Sequence, residues 1–123
     1  MKKRLQRLQK SFGYAGNGIS HALLTQPNMW IHAFIGTCTL IFAWILNFSS
    51  LQWVILVILI SQVFILEMVN TVAEIVVDLA SPEFSDLARS AKDVAAGAVL
   101  FAAASAVIGG AILFIPKLLE VFL

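Results

Sequence analysis

No Lys, Arg, Asp or Glu occurs between Ser11 and Leu66, and a second charge-free stretch runs from Val94 to Pro116. Uncharged stretches of that length cannot cover the surface of a water-soluble domain, in which about a quarter of the residues are normally charged. Here 12% are charged and 60% hydrophobic, with a mean hydropathy of +0.93. The chain belongs in a bilayer. A net charge of +1 excludes a nucleic-acid partner recognised through bulk electrostatics. The single cysteine, Cys38, excludes an intramolecular disulfide and reads as a small buried hydrophobe.

A helix rises about 1.5 Å per residue and the hydrocarbon core is about 30 Å thick, so each crossing needs roughly 20 apolar residues. Three segments satisfy this: 29–48, closed by the turn signal Asn47-Phe48-Ser49-Ser50; 51–80, stopped by Ser81-Pro82; and 93–115, ended by Pro116. Lys2, Lys3, Arg4, Arg7 and Lys10 precede the first span, the link between the first two is uncharged, and Arg89 and Lys92 lie between the last two. The positive-inside rule therefore puts the N-terminus in the cytoplasm, with Lys117 as the one opposing vote. Trp30 near one interface and Trp44 and Trp53 near the other fit aromatic belts.

Residues 1–28 differ in kind. Leu5, Leu8, Phe12, Ala15 and Ile19 recur at helical spacing opposite Arg4, Arg7 and Lys10, which predicts an amphipathic helix lying on the membrane surface, with a bend at Gly13, Gly16 and Gly18. The basic start imitates a signal peptide, but the polar, glycine-rich residues after it supply no apolar h-region, so no cleaved segment is expected. The expected fold is all-α and integral to the membrane, one domain over 1–123, with this surface helix and three transmembrane helices. In the third span Ala98, Ala102, Ala106 and Gly110 form a small-residue stripe suited to close helix packing, and so thin a bundle favours oligomerisation.

The second span ends in carboxylates. With Glu67 at zero and about 100° per residue, Asn70 falls near −60°, Glu74 near −20° and Asp78 near +20°, so one face carries all four. The uncharged part from Leu51 to Leu66 covers roughly 24 Å, which puts Glu67 and Asn70 in the inner leaflet and Glu74 and Asp78 near the cytoplasmic interface. An ionisable group near the centre of a membrane helix costs at least about 2.5–3.5 kcal/mol and usually serves a function. Carboxylates stacked this way repel unless cations neutralise them, and with an amide oxygen they suit a hard cation such as Mg²⁺, which shares its ligands with phosphate. Lys92 and Asp93, at the start of the third span, could meet a phosphate chain and its metal. The same residues also read as membrane anchoring and a favourable helix-dipole partner. A small oligomeric cation or proton transporter using Glu67 and Glu74 is the rival to phosphoryl chemistry. His21 and His32 lie too far apart for a zinc pair and read as interfacial polar groups.

Four stretches carry a family resemblance: KSFGYAGNG at 10–18, PNMWIH at 27–32, the ExxNxxxExxxD pattern from Glu67 to Asp78, and AKD at 91–93. Together they resemble the small integral-membrane lipid kinases of bacteria, the prokaryotic diacylglycerol kinase and undecaprenol kinase family. The resemblance implies a homotrimer in the bacterial inner membrane that uses ATP and Mg²⁺ to phosphorylate a lipid alcohol at the cytoplasmic surface. It implies that Glu67 is the general base, that Glu74 ligates the metal, that Asn70 supports the site, and that Lys92 meets the ATP phosphates. Asp78, Asp93, Arg7 and Tyr14 would stand on the nucleotide side.

Two positions depart from the family pattern. Gln26 stands where a metal-holding acidic residue is usual, and Asn17 where a basic one is common. The amide oxygen of Gln26 remains a ligand but brings no charge, which leaves a catalytically impaired member as an alternative. PNMWIH, with His32, resembles the Gram-positive type of the family, so undecaprenol is favoured over diacylglycerol as the acceptor.

Overall fold

The computed structural model describes all of residues 1–123, which form α1 (Lys2–Thr25), α2 (Pro27–Ile45), α3 (Ser50–Ala80) and α4 (Asp86–Phe122). Helices α2, α3 and α4 are each long and apolar enough to cross a membrane. Only 13 of the 123 residues are buried within the chain, and exposed Ile, Leu, Val and Phe side chains surround the helices. Lipid is the solvent for that surface, and the architecture is an all-α, multi-pass membrane one.

Helix boundaries follow local chemistry. The Ser49 side chain accepts the backbone N–H of Gln52, whose side chain accepts that of Ser49, a capping box that starts α3. Asn47 takes a left-handed φ of 51° in the turn between α2 and α3, a conformation asparagine tolerates better than most residues. Beneath this turn Phe48 packs on Trp53 and Phe114 and joins Ala43, Leu56 and Leu113 in the densest apolar cluster. Helix α3 stops at Ser81, before Pro82, and Ser85 caps α4 by accepting the N–H of Ala88.

Helix α4 runs antiparallel to α3 along most of its length. Lys92 reaches Asp78 at one end, the Gln62 side chain donates to the Ala102 carbonyl at 3.5 Å in the middle, and Gly109 faces Leu59 towards the other end. Ala102 on the small-residue stripe is buried, and at Gly109 an added methyl would sit 2.6 Å from Leu59 Cδ1, the end of a side chain on α3. Gly109→Leu is therefore expected to destabilise the α3–α4 pair by about 1–3 kcal/mol. A lowered midpoint of thermal unfolding in detergent checks this; an unchanged midpoint means that the pair is not sealed there.

The structure differs from expectation at three places. Helix α4 does not end at Pro116 but continues through it to Phe122. Proline deprives only the carbonyl one turn before it of a donor, a loss that membrane helices tolerate, and bonding resumes beyond it, as in Leu123 N–H to Leu119 O at 2.9 Å. Helix α1 runs unbroken through Gly13, Gly16 and Gly18. Cys38 is exposed on α2 rather than buried, on a surface where lipid serves an apolar group as well as a core does.

Candidate active site

Helix α3 brings the polar residues together because its 100° step stacks them on the side turned to the bundle. Glu67 is 1% exposed, and Asn70 and Thr71 are buried beside it. The Glu67 carboxylate accepts a hydrogen bond at 3.1 Å from Nε2 of His32 on α2, whose ring meets Phe64 edge-on. The Nε2–H tautomer is assigned because a carboxylate oxygen can only accept. Thr71 Oγ1 donates to the Glu67 carbonyl at 2.9 Å, which uses up its hydroxyl within the helix.

About two turns beyond Glu67, the two oxygens of Glu74 have separate amide donors. Asn70 Nδ2 donates to Oε1 at 3.0 Å, and Gln26 Nε2, from the junction of α1 and α2, donates to Oε2 at 3.4 Å. Asn70 Oδ1 is the one buried side-chain polar atom left without a partner. A buried acceptor in that condition ordinarily costs about 1–3 kcal/mol unless something occupies it. Beside it, Asn28, His32, Glu67 and Asn70 share a cavity of about 320 Å³ with apolar residues of α4, among them Val99 and Ala103.

Towards the end of α3 the polarity opens to the surface. Asp78 accepts a hydrogen bond from Lys92 Nζ at 2.5 Å across the start of α4, with Asp78 exposed and Lys92 half-buried. Asp93 pairs weakly with Arg89 at 3.9 Å on its own helix. Arg7 and Tyr14 project from the exposed length of α1, and no side-chain bond joins them to the α3 residues. The structure thus assembles Gln26, Asn70 and Glu74 in one group, Glu67 with His32 in a second, and Asp78 with Lys92 in a third.

His32 was expected to be an interfacial polar group, and the structure makes it the partner of Glu67. The hairpin gave only a coarse signal for this, since His32 stands 15 residues before Asn47 and Glu67 20 residues after it. No three His, Cys, Asp or Glu side chains converge to form a complete metal cage. A carboxylate and an orphaned amide oxygen nevertheless fit a hard cation completing its shell from phosphate and water, and Gln26, which here turns its amide NH2 to Glu74, can add an oxygen only by flipping that amide.

Residues 13–114 match the family described as prokaryotic diacylglycerol kinase, a stretch that takes in the three polar groups. The chain belongs to that family. This kinase is 39% identical over 117 residues to an undecaprenol kinase of Bacillus subtilis, a match covering 95% of both chains. It is 44% identical over 111 residues to a diacylglycerol kinase of a Synechocystis species, covering 89% of this chain and 63% of the relative's length. Membership makes the protein a lipid kinase, a phosphotransferase with an alcohol acceptor. The two relatives are named for different acceptors, so family membership alone leaves that choice open.

Proposed function

We propose that this kinase transfers the γ-phosphoryl group of ATP, with Mg²⁺, to the primary hydroxyl of undecaprenol at the cytoplasmic surface of the bacterial inner membrane. The observation that carries the reading is Glu67, a carboxylate buried at membrane depth beside a cavity, with the Gln26–Asn70–Glu74 group about two turns away. An acceptor dissolved in the bilayer needs its base at that depth.

Glu67 takes the proton of the acceptor hydroxyl as the alcohol oxygen bonds to the γ-phosphorus and the bond to the ADP oxygen breaks. The proton ends on the carboxyl of Glu67 and the electron pair on ADP. Glu74, the free Oδ1 of Asn70 and, with its amide flipped to present oxygen, Gln26 would hold Mg²⁺, which when bound would neutralise phosphate charge. Lys92 gives the phosphates a point charge, and Asp78 fixes where that charge sits. Asp93, Arg7 and Tyr14 serve the nucleotide side, where α1 stands open to the aqueous phase. Gln26 brings no charge to the site, so more of the ligation would fall to phosphate oxygens. A homotrimer would cover apolar surface that a single chain leaves bare.

Support for undecaprenol comes from the near end-to-end match to a relative named for that acceptor, and from PNMWIH at the start of α2. The test supplies purified protein in lipid with radiolabelled ATP and either undecaprenol or diacylglycerol, with and without Mg²⁺. Labelled undecaprenyl phosphate formed at the higher kcat/KM, and only with Mg²⁺, is the expected result. No labelled lipid from any alcohol, together with proton or cation flux in liposomes, overturns the proposal in favour of transport.

A further inference from the structure

We infer that His32 is a positioning residue for the phosphoryl transfer: its ring donates Nε2–H to Oε1 of Glu67 and so leaves Oε2 to meet the acceptor hydroxyl. The inference rests on the proposed role of Glu67 as base.

The bond from His32, at 3.1 Å, is the only hydrogen bond the Glu67 carboxylate makes in the chain. Its other oxygen, Oε2, takes none, although the residue as a whole is 1% exposed. Glu67 and His32 both line the cavity of about 320 Å³, and the α4 side of that cavity offers only Ala96, Val99, Leu100 and Ala103. The other polar lining residue, Asn28 at the start of α2, makes no hydrogen bond to the carboxylate, so within the chain His32 alone orients it. The nearest polar residues on its own helix are engaged elsewhere: Thr71 bonds the Glu67 carbonyl, and Asn70 bonds Glu74.

A glutamate has three rotatable side-chain bonds, and a base that must search its rotamers forfeits part of the gain from proximity. The imidazole removes that search. Its ring is itself held, being mostly buried and set edge-on against Phe64 at 6.4 Å. A hydrogen bond to an otherwise unpartnered buried carboxylate also offsets part of the penalty for burying it. Because His32 comes from α2 and Glu67 from α3, the carboxylate points correctly only when the two helices are in register.

The bland alternative is that His32 merely ties α2 to α3, and a double-mutant cycle separates the two. Wild type, His32→Ala, His32→Gln, Glu67→Gln and the double variant His32→Ala/Glu67→Gln are assayed in lipid for kcat and for the KM of ATP. We expect His32→Ala to lower kcat by about 10–100-fold with the KM for ATP unchanged, since only a transition-state interaction is lost. His32→Gln, whose amide N–H can take the place of imidazole Nε2–H, is expected to recover most of that loss. In the Glu67→Gln background, His32→Ala should cost less than about twofold, because there is no base left to position.

Wild-type kcat in His32→Ala, or His32→Gln as impaired as His32→Ala, overturns the inference. So does an equal loss from His32→Ala in both backgrounds, which is the result a purely structural tie gives. If His32→Ala does not fold, His32→Met replaces it as a side chain of similar length without a donor, and equal rates for the Met and Gln variants overturn the inference. A wild type that phosphorylates no lipid overturns the proposed function instead, and an active wild type with an unimpaired Glu67→Gln overturns the base assignment and this inference with it.

Discussion

Glu67→Gln is expected to lower lipid phosphorylation by about 10²–10⁴-fold, the range that a positioned general base contributes, while ATP binding stays essentially as in wild type. The substitution keeps the size of the side chain and leaves an amide oxygen able to accept from His32, so the buried pair on α2 and α3 survives. What it removes is a group that can take a proton from an alcohol. Because Glu67 is buried, bulk water and buffer bases have little means of replacing it. Single-turnover assays with radiolabelled ATP, alongside nucleotide binding by fluorescence, separate the two effects. A normal turnover rate would move the base elsewhere, and lost ATP binding would place Glu67 on the nucleotide side.

Glu74→Gln strikes at charge rather than proton transfer. In the folded chain Glu74 is the carboxylate towards which Gln26 and Asn70 both turn an amide, and it is the only negative charge in that group. Replacing it leaves three neutral amides, a poor set for a cation that prefers charged oxygen ligands. The Mg²⁺ concentration needed for half-maximal rate is expected to rise by about 10–100-fold, with partial recovery of the rate at high Mg²⁺. An unchanged Mg²⁺ requirement would show that the phosphates hold the ion without Glu74. The contrast with Glu67→Gln is informative, since added Mg²⁺ cannot restore a missing base.

Much of this was legible in the sequence for identifiable physical reasons. Ser49, Gln52, Ser81 and Pro82 act on their own neighbours, so the bounds of α3 could be read locally. The shared face of Glu67, Asn70, Glu74 and Asp78 follows from helical pitch alone. Pro116 misled because the rule that proline ends a helix is calibrated on chains in water, and α4 carries on past it in an apolar setting. The partner of Glu67 was hidden for another reason: His32 meets it only through the register of α2 against α3, which the turn at Asn47 and the packing of Phe48 set at the far end. The pairing of Lys92 with Asp78 likewise depends on the tertiary register of α3 against α4. No local pattern encodes either contact. Arg7 and Tyr14 were grouped with the nucleotide residues by resemblance, and α1 carries them along an exposed length where the chain supplies no contact to fix them.

Under the proposed role of Glu67, its depth along α3 also sets how the kinase would meet its acceptor. Glu67 lies about 26 Å from the start of a helix some 46 Å long, and if it is the base, as proposed, that depth falls below the plane of the head groups, so an alcohol would reach it by sliding within the leaflet. The search is then two-dimensional. The quantity that governs the encounter is the mole fraction of acceptor among the lipids, not its amount per litre. Diluting the leaflet with inert lipid starves the enzyme even when the tube holds the same number of acceptor molecules, whereas ATP, arriving from water, is indifferent to that dilution.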